Sequence, residues 1–318
     1  MVGVFPGCRG CPAPNPTPSG TDPMPPWPSL GSRVSIRYRV GGAHTDVIGY
    51  LRAVAPRIEV HTKSSGPVFI SPDDVVAVRE LSHTVVRASE IRALEHAAAL
   101  AWPGTQHHWH RGWLLRAAGG HTSRANSAVP LDFSAAIADL DDIVSWYGER
   151  GLTPWLALPD RLVRVRAAGV KRTRVMVRDI DPAGLVVATT LRNRPDAAWL
   201  NGYRLGVPEE VLTAVIDGEV TFASIAGAAG GRGAITCAPD GTTWLGISAV
   251  HVADAQRRAG HGRVVCETLQ AWGADRGARR AYVQVLDDNH AAIALYGSLG
   301  FRLHHHLRYL DARVLLPR

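Results

Sequence analysis

Residues 256–265 read QRRAGHGRVV and residues 286–301 read LDDNHAAIALYGSLGF, and these two stretches determine the predicted fold around them. The first places Gly260 and Gly262 at the start of a helical stretch that follows a β-rich run at 244–252. A strand that turns into a glycine-rich helix start leaves backbone N–H groups unpaired at the positive end of the helix dipole. The turn is therefore predicted to bind a pyrophosphate.

The second stretch predicts another helix and its end. It sets Asn289 and Tyr296 two turns apart on one helix face. It closes with Gly300 and Phe301, a helix stop followed by the start of a strand. Between the two stretches, residues 281–286 read AYVQVL, which is typical of a buried strand. The predicted order is thus strand, glycine turn, helix, strand, helix and strand.

Together the motifs R-x-x-G-x-G at 257–262 and N-x-x-A-x-x-x-Y-x-x-x-G-F at 289–301 resemble the acetyl-CoA core of the GNAT superfamily of N-acetyltransferases. A weaker similarity extends back to about residue 85 and resembles an actinobacterial group with two GNAT-like halves behind a small barrel. The resemblance implies an α+β fold with a mixed sheet, built from two GNAT-like halves and preceded by an SH3-like β-barrel.

The resemblance also implies roles for individual residues. The strand before the glycine turn is implied to pair with the pantetheine arm of acetyl-CoA through Val250, His251 and Val252. The implied pyrophosphate loop consists of Arg258, Ala259, Gly260, His261, Gly262 and Arg263. Asn289 matches a residue that reaches the cofactor, and it is equally a good helix N-cap. Tyr296 matches the general acid that protonates the departing thiolate of CoA.

The general base is left open. Some relatives carry a Glu on the strand before Asn289, where this chain has Gln284, and a glutamine cannot accept the proton. His251, Asp287, Asp288 or water could take that proton instead. The polar segment GHTSRANS at 120–127 either lines the substrate cleft or ties the two halves together with hydrogen bonds.

Composition and patterning predict four parts. Residues 1–29 are proline-rich and are expected to be disordered, with Met24 as an alternative start. Alternating residues at 30–82 predict the small barrel. Residues 85–190 predict a degenerate GNAT-like half, with a second helix at 134–150, that lacks R-x-x-G-x-G and binds no CoA. Residues 195–318 predict the acetyl-CoA-binding domain, with a helix at 260–275 and terminal strands at 301–316.

No metal site is expected. Cys8 and Cys11 form a lone C-x-x-C pair. Two histidine groups, at 107–110 and 304–306, contain neighbours that would point to opposite faces of a strand. Neither group is completed by a Cys or carboxylate ligand.

The predicted function is acetyl transfer from acetyl-CoA to an amine of a small molecule or amino acid. Alternatives are transfer to a lysine or N-terminus of a protein, and a non-catalytic acetyl-CoA-binding regulator whose barrel binds protein or nucleic acid. The formal net charge of +7 comes from dispersed arginines, so nucleic acid is not the favoured partner. With neither a bilayer-spanning run nor a secretory signal, the expected location is cytoplasmic. The sequence predicts no oligomeric state.

Overall fold

The computed structural model describes residues 27–181, 183, 185 and 187–316. The expectations for Cys8, Cys11, Met24 and most of the proline-rich tail lie outside these residues. The chain divides into two compact units between Glu80 and Leu81.

The first unit is a five-stranded sheet in the order β4-β3-β2-β1-β5. Its strands are β1 (Arg33–Val40), β2 (Ala43–Ala53), β3 (Ile58–His61), β4 (Pro67–Ile70) and β5 (Val75–Leu81). Alternate apolar side chains such as Val34, Ile36 and Leu51 point into one core and are fully buried. The period-two pattern of the sequence therefore predicted the buried positions Val34 and Ile36 of β1, whereas Val40 at the end of the strand is exposed.

The second unit contains six helices and eleven strands among the described residues. The helices are α1 (Ala88–Ala101), α2 (Leu140–Gly148), α3 (Ala197–Tyr203), α4 (Glu209–Thr213), α5 (His261–Asp275) and α6 (His290–Ser298). The strands are β6 (Gln106–His110), β7 (Trp113–Ala117), β8 (Val129–Pro130), β9 (Trp155–Pro159), β10 (Val170–Asp179), β11 (Thr190–Arg192), β12 (Glu219–Ile225), β13 (Ala229–Cys237), β14 (Thr243–Val252), β15 (Arg280–Leu286) and β16 (Arg302–Asp311). None of the described helices is long and apolar enough to cross a membrane.

One eight-stranded mixed sheet organises this unit, in the order β11-β12-β13-β14-β15-β10-β16-β9. Strand β10 belongs to the range 85–190, yet it pairs antiparallel with both β15 and β16. Strand β9 pairs with β16 at the sheet edge. The ranges 85–190 and 195–318 therefore share a single sheet.

Helices cover both faces of the sheet. On one face, α5 and α6 bury Val265, Leu269 and Leu299 against Ile247 and Val283. On the other face, α1 buries side chains against β14, β15 and β16, and the members of this cluster include Leu94, Ala98, Trp244, Tyr282 and Leu307. Successive residues of β15 thus point alternately toward α5 and toward α1.

Two sequence predictions are wrong in detail. The helix predicted at 134–150 begins only at Leu140, because Asp132 Oδ1 accepts hydrogen bonds from Ser134 N and Oγ and holds a turn there. The terminal strands predicted at 301–316 are one strand, β16. It ends at Asp311, whose side chain accepts a hydrogen bond from Arg313 N and starts the 3-10 turn Ala312–Leu315.

Candidate active site

A gap opens in the sheet between β14 and β15. The two strands pair in parallel from Trp244–Arg280 to Ile247–Val283, where the described pairing ends. Strand β14 nevertheless continues alongside β13 as far as Val252. Its last residues therefore have a strand partner on one side and an open edge on the other, where an extended ligand arm can add as another strand.

A β-bulge bends β14 at this point. The β13–β14 register shifts between Gly230 and Arg232, and Ala249 on β14 has a left-handed φ of 53°. A bulge re-aims the side chains that follow it. Val250 and Val252 pack toward the α5 core, and the His251 ring lies edge-on to Trp199 at 5.0 Å between centroids. The side chains of the predicted pantetheine strand are thus engaged in packing.

The glycine turn has the geometry of an anion site. Gly260 has a φ of 82° and is the N-cap of α5, and a Cβ built on it would meet nothing within 4 Å. The first N–H groups of a helix have no partner within it, so those of α5 are available to a ligand. Gly262 instead allows α5 to pack closely on α6, since a Cβ at this position would lie 3.2 Å from Leu295 Cδ2.

Two arginines of the turn, Arg257 and Arg263, are held by neighbours. Arg257 pairs with Asp254 at 2.8 Å, and Arg258, which is exposed, adopts a left-handed φ of 64°. Arg263 Nη2 donates to Ser298 Oγ at 2.8 Å and so ties α5 to α6. His261 is the first residue of α5, and Ala259 is exposed.

Asn289 and Tyr296 lie at opposite ends of α6. Asn289 Oδ1 accepts a hydrogen bond from Ala292 N at 3.1 Å, so the N-cap role is present. Tyr296 is 7% exposed and lies edge-on to Phe301. Burial raises the pKa of Tyr296, and Cys266 raises it further. The phenol is therefore protonated at neutral pH and can donate a proton.

On the other face of the sheet, a buried carboxylate stands beside Gln284. Gln284 directly follows Val283, the last parallel-paired residue of β15. Its Nε2 donates to Glu95 Oε1 of α1 at 3.2 Å, and Glu95 is only 4% exposed. Both line a cavity of about 10 Å³, together with Arg116 and Arg124. That volume is roughly what one water molecule needs.

Sequence patterns alone did not identify Glu95. Gln284 and Glu95 are 189 residues apart, and α1 reads as an ordinary helix with one apolar face. Helical periodicity places Glu95 near the buried side, and a buried Glu is rare unless it is paired. A Glu on the apolar side of a predicted helix was the available signal of a buried carboxylate. Its hydrogen-bond partner, Gln284, depends on how α1 packs on the sheet.

Two histidines extend the contact. His305 Nε2 lies 3.0 Å from Glu95 Oε1, and His304 Nδ1 lies 2.8 Å from His305 Nδ1. The β10–β16 register shifts between Val175 and Met176, which leaves His304 as the extra residue of a bulge. The prediction that adjacent histidines point to opposite faces is therefore wrong here, because the bulge brings both rings together.

The other histidines and acids have separate partners. His110 lies 3.1 Å from Asp142, and its neighbours His107 and His108 on β6 are exposed. Asp287 pairs with Arg172 at 2.9 Å and also with Arg174, so two cations hold its charge. The described part of the chain contains no group of three or more His, Cys, Asp or Glu side chains suited to a metal ion.

Acid is expected to destabilise the protein through His304. Burial lowers the pKa of His304 from 6.5 to about 3. The unfolded chain therefore protonates this side chain below about pH 6.5, whereas the folded chain protonates it only below about pH 3. The free energy of unfolding should fall in that window by about 1.4 kcal/mol per pH unit for this group. Urea titrations of the wild type and His304→Gln at pH 7, 6 and 5 should show a smaller pH slope in the variant.

Leu269→Ala is the control for this slope. Leu269 is fully buried in α5, and its loss should lower stability by about 2–5 kcal/mol at every pH without changing the slope. Equal slopes for the wild type and His304→Gln would contradict the assignment to His304.

The segment 120–127 divides between two tasks. Asn126 Oδ1 accepts hydrogen bonds from Ala118 N and Gly120 N, and its Nδ2 donates to the carbonyl of Thr122. This side chain ties the loop together. Arg124 instead lines the cavity, with its guanidinium 5.4 Å from the Trp102 ring. Its buried Nε has no hydrogen-bond partner among the described residues.

Comparison with known proteins identifies the family of the chain. Residues 88–310 match the family model described as "Probable histone acetyltransferase Rv0428c C-terminal", and residues 28–79 match "Rv0428c N-terminal Sm-like domain". The chain belongs to this family of GNAT acetyltransferases. The family description refines the expected SH3-like barrel to an Sm-like domain.

The similar proteins differ in how much of this acetyltransferase they match. It is 50% identical over 294 residues, 90% of this chain and 97% of the relative, to "Probable histone acetyltransferase Rv0428c" of Mycobacterium tuberculosis (strain ATCC 25618 / H37Rv). It is 40% identical over 65 residues, 20% of this chain and 26% of the relative, to "Uncharacterized N-acetyltransferase YobR" of Bacillus subtilis (strain 168). A solved GCN5-related N-acetyltransferase from Kribbella flavida is 16% identical, with a TM-score of 0.48 over 71% of this chain and 95% of that one.

Membership in the family identifies the chain as an acetyltransferase enzyme and favours catalysis over the regulator considered from the sequence. GNAT acetyltransferases use acetyl-CoA. The open edge of β14 and the free N–H groups at Gly260 fit a ligand with an extended arm and a pyrophosphate.

Proposed function

We propose that this acetyltransferase transfers the acetyl group of acetyl-CoA to the amine of an amino-acid-like small molecule, by direct attack of the amine on the thioester. The observation that carries the proposal is the end of the β14–β15 pairing at Ile247 and Val283, next to the glycine turn at Gly260. A ligand arm that enters this gap would pass between α1 on one face of the sheet and α6 on the other.

Two groups of residues hold acetyl-CoA in this proposal. Backbone N–H groups at 258–263 bind the pyrophosphate, and the exposed strand edge at Val250, His251 and Val252 pairs with the pantetheine. Asn289 caps α6 beside this site. When bound, acetyl-CoA supplies an acetyl group that is activated as a thioester. Tyr296 donates its phenolic proton to the sulfur as the C–S bond breaks.

The charges around the cavity support an acceptor that carries a carboxylate. Arg124 lines the cavity and forms no ion pair among the described residues, while the buried Arg116 binds backbone and hydroxyl oxygens. A guanidinium with free N–H groups is suited to two parallel hydrogen bonds with a carboxylate. An α-amino acid or a similar amine would lie in the gap, outside the cavity of about 10 Å³, with its carboxylate toward Arg124 and its amine toward the thioester.

Matched acceptors test this specificity. Arg124→Gln should lower kcat/KM for a carboxylate-bearing amine about 10- to 100-fold, since a charge-assisted hydrogen bond contributes about 1.5–3 kcal/mol. The primary amide of the same acceptor should react at nearly equal rates with the variant and the wild type. Thiol release from acetyl-CoA measures each rate. Equal kcat/KM for acid and amide in the wild type would contradict a carboxylate site at Arg124.

A protein amine is the second candidate acceptor. The relative that is 50% identical is named a probable histone acetyltransferase, which supports a lysine or N-terminal amine as the acceptor. Incubation of a lysine-rich histone with the enzyme and acetyl-CoA, followed by intact-mass spectrometry, distinguishes the two. Additions of 42 Da to the histone, with no reaction of free amino acids, would favour the protein acceptor.

A further inference from the structure

The amide of Gln284 on β15 points to a buried carboxylate on α1. Gln284 is the first β15 residue past the segment that pairs with β14, and it faces α1. Its Nε2 donates to Glu95 Oε1 at 3.2 Å. The chain therefore has a carboxylate next to the gap, provided by α1 and not by the sheet.

The hydrogen bonds leave one oxygen of Glu95 available. Oε1 receives both Gln284 Nε2 and His305 Nε2, the latter at 3.0 Å. Among the described residues no hydrogen bond reaches Oε2. A carboxylate can accept about four hydrogen bonds. The adjoining cavity of about 10 Å³ has room for about one water molecule or a small polar group at Glu95.

The two histidines orient the carboxylate. Neutral His304 can donate from Nδ1 to Nδ1 of His305, which then carries its proton on Nε2 and donates to Glu95. All three side chains are buried, with Glu95 at 4% and His305 at 3% exposure. A buried carboxylate is costly unless it is hydrogen bonded, and these donors offset that cost. Their arrangement fixes Oε1 and leaves Oε2 as the acceptor.

We infer that Glu95 is the general base of acetyl transfer, an inference that rests on the proposed function. The carboxylate takes one proton from the acceptor ammonium, directly or through a water in the cavity. The freed lone pair of the nitrogen forms the new C–N bond with the acetyl carbon, and the C–S electron pair leaves on sulfur, which Tyr296 protonates. The second nitrogen proton restores the Tyr296 phenol, and the proton on Glu95 passes to solvent.

The test moves the carboxylate from residue 95 to residue 284, its hydrogen-bond partner. Glu95→Gln keeps the size and the hydrogen-bonding shape of the side chain but cannot accept the proton, so kcat should fall about a hundredfold. The double variant Glu95→Gln with Gln284→Glu returns a carboxylate to the same pair and should recover at least about tenfold of that loss. Glu90→Gln, on the same helix, should keep wild-type kcat.

Two further measurements distinguish loss of the base from loss of cofactor binding or of folding as the cause of a lower kcat. The Kd for acetyl-CoA by calorimetry and the thermal unfolding midpoint should match the wild type in both Glu95 variants, since neither enters the proposed cofactor contacts. A folded Glu95→Gln variant with kcat within about threefold of the wild type would overturn the inference while leaving the proposed function intact. A folded double variant no more active than Glu95→Gln would also overturn it, and would assign Glu95 a structural role.

If Glu95→Gln does not fold, the double variant decides alone: a kcat within about tenfold of the wild type supports the inference, and a greater loss overturns it. A wild-type protein that neither binds acetyl-CoA nor transfers acetyl groups would overturn the proposed function together with this inference.

Discussion

Replacing Tyr296 with phenylalanine is expected to lower kcat for acetyl transfer about a hundredfold, with little change in the Kd for acetyl-CoA. The variant removes only the hydroxyl. The ring stays buried in the α5–α6 core, edge-on to Phe301 at 5.7 Å between centroids. No hydrogen bond of the Tyr296 hydroxyl is found in the described part of the chain, so folding should be unaffected. Steady-state rates and calorimetry measure the two quantities.

Tyr147→Phe is the matched control. The Tyr147 hydroxyl donates to the Arg116 carbonyl at 3.0 Å and accepts from Arg116 N at 3.2 Å, in the core beside α2. Its loss should lower stability by about 1–3 kcal/mol, because both Arg116 backbone groups lose a partner, but should leave kcat nearly unchanged. If Tyr296→Phe kept kcat within about threefold of the wild type, Tyr296 would not be the acid.

Gly260→Asp is expected to weaken acetyl-CoA binding by at least about a hundredfold. The built Cβ points into open space at the N-terminus of α5, so the new side chain would occupy the proposed pyrophosphate position. Two unit charges about 4 Å apart near a protein surface repel by roughly 4 kcal/mol, and about 2.8 kcal/mol already corresponds to a hundredfold. Calorimetric titration with acetyl-CoA measures the change in Kd.

Gly241→Asp controls for backbone strain. Gly241 has the same φ of 82° and the same open surroundings, but it lies in the turn between β13 and β14. Both variants should lose similar stability from a left-handed non-glycine residue, roughly 1–2 kcal/mol. Only Gly260→Asp should lose acetyl-CoA binding. If both variants bound acetyl-CoA with equal affinity, the pyrophosphate would not bind at this turn.

Local signals predicted much of the fold. The glycine turn and the apolar periodicity gave α5 within one residue of its observed start, and Asn289 marked the N-cap of α6. These features depend on residues a few positions apart, so the sequence contains them directly. The functional roles of Gly260, Asn289 and Tyr296 remain predictions.

Non-local features were out of reach. Strand β10 is inserted between β15 and β16, which follow it by about a hundred residues or more, and its register there is set by side chains on all three strands. The pairing of Glu95 with Gln284 follows from that insertion and from the packing of α1 on the same face. The bulge at His304 likewise arises from the β10–β16 register.

A crystal structure of the full chain with acetyl-CoA tests the central claim most directly. The pyrophosphate is expected at roughly 3 Å from backbone N–H groups of residues 258–263, with the pantetheine alongside Val250, His251 and Val252. Acetyl-CoA bound elsewhere, with the β14–β15 gap empty, would contradict the account.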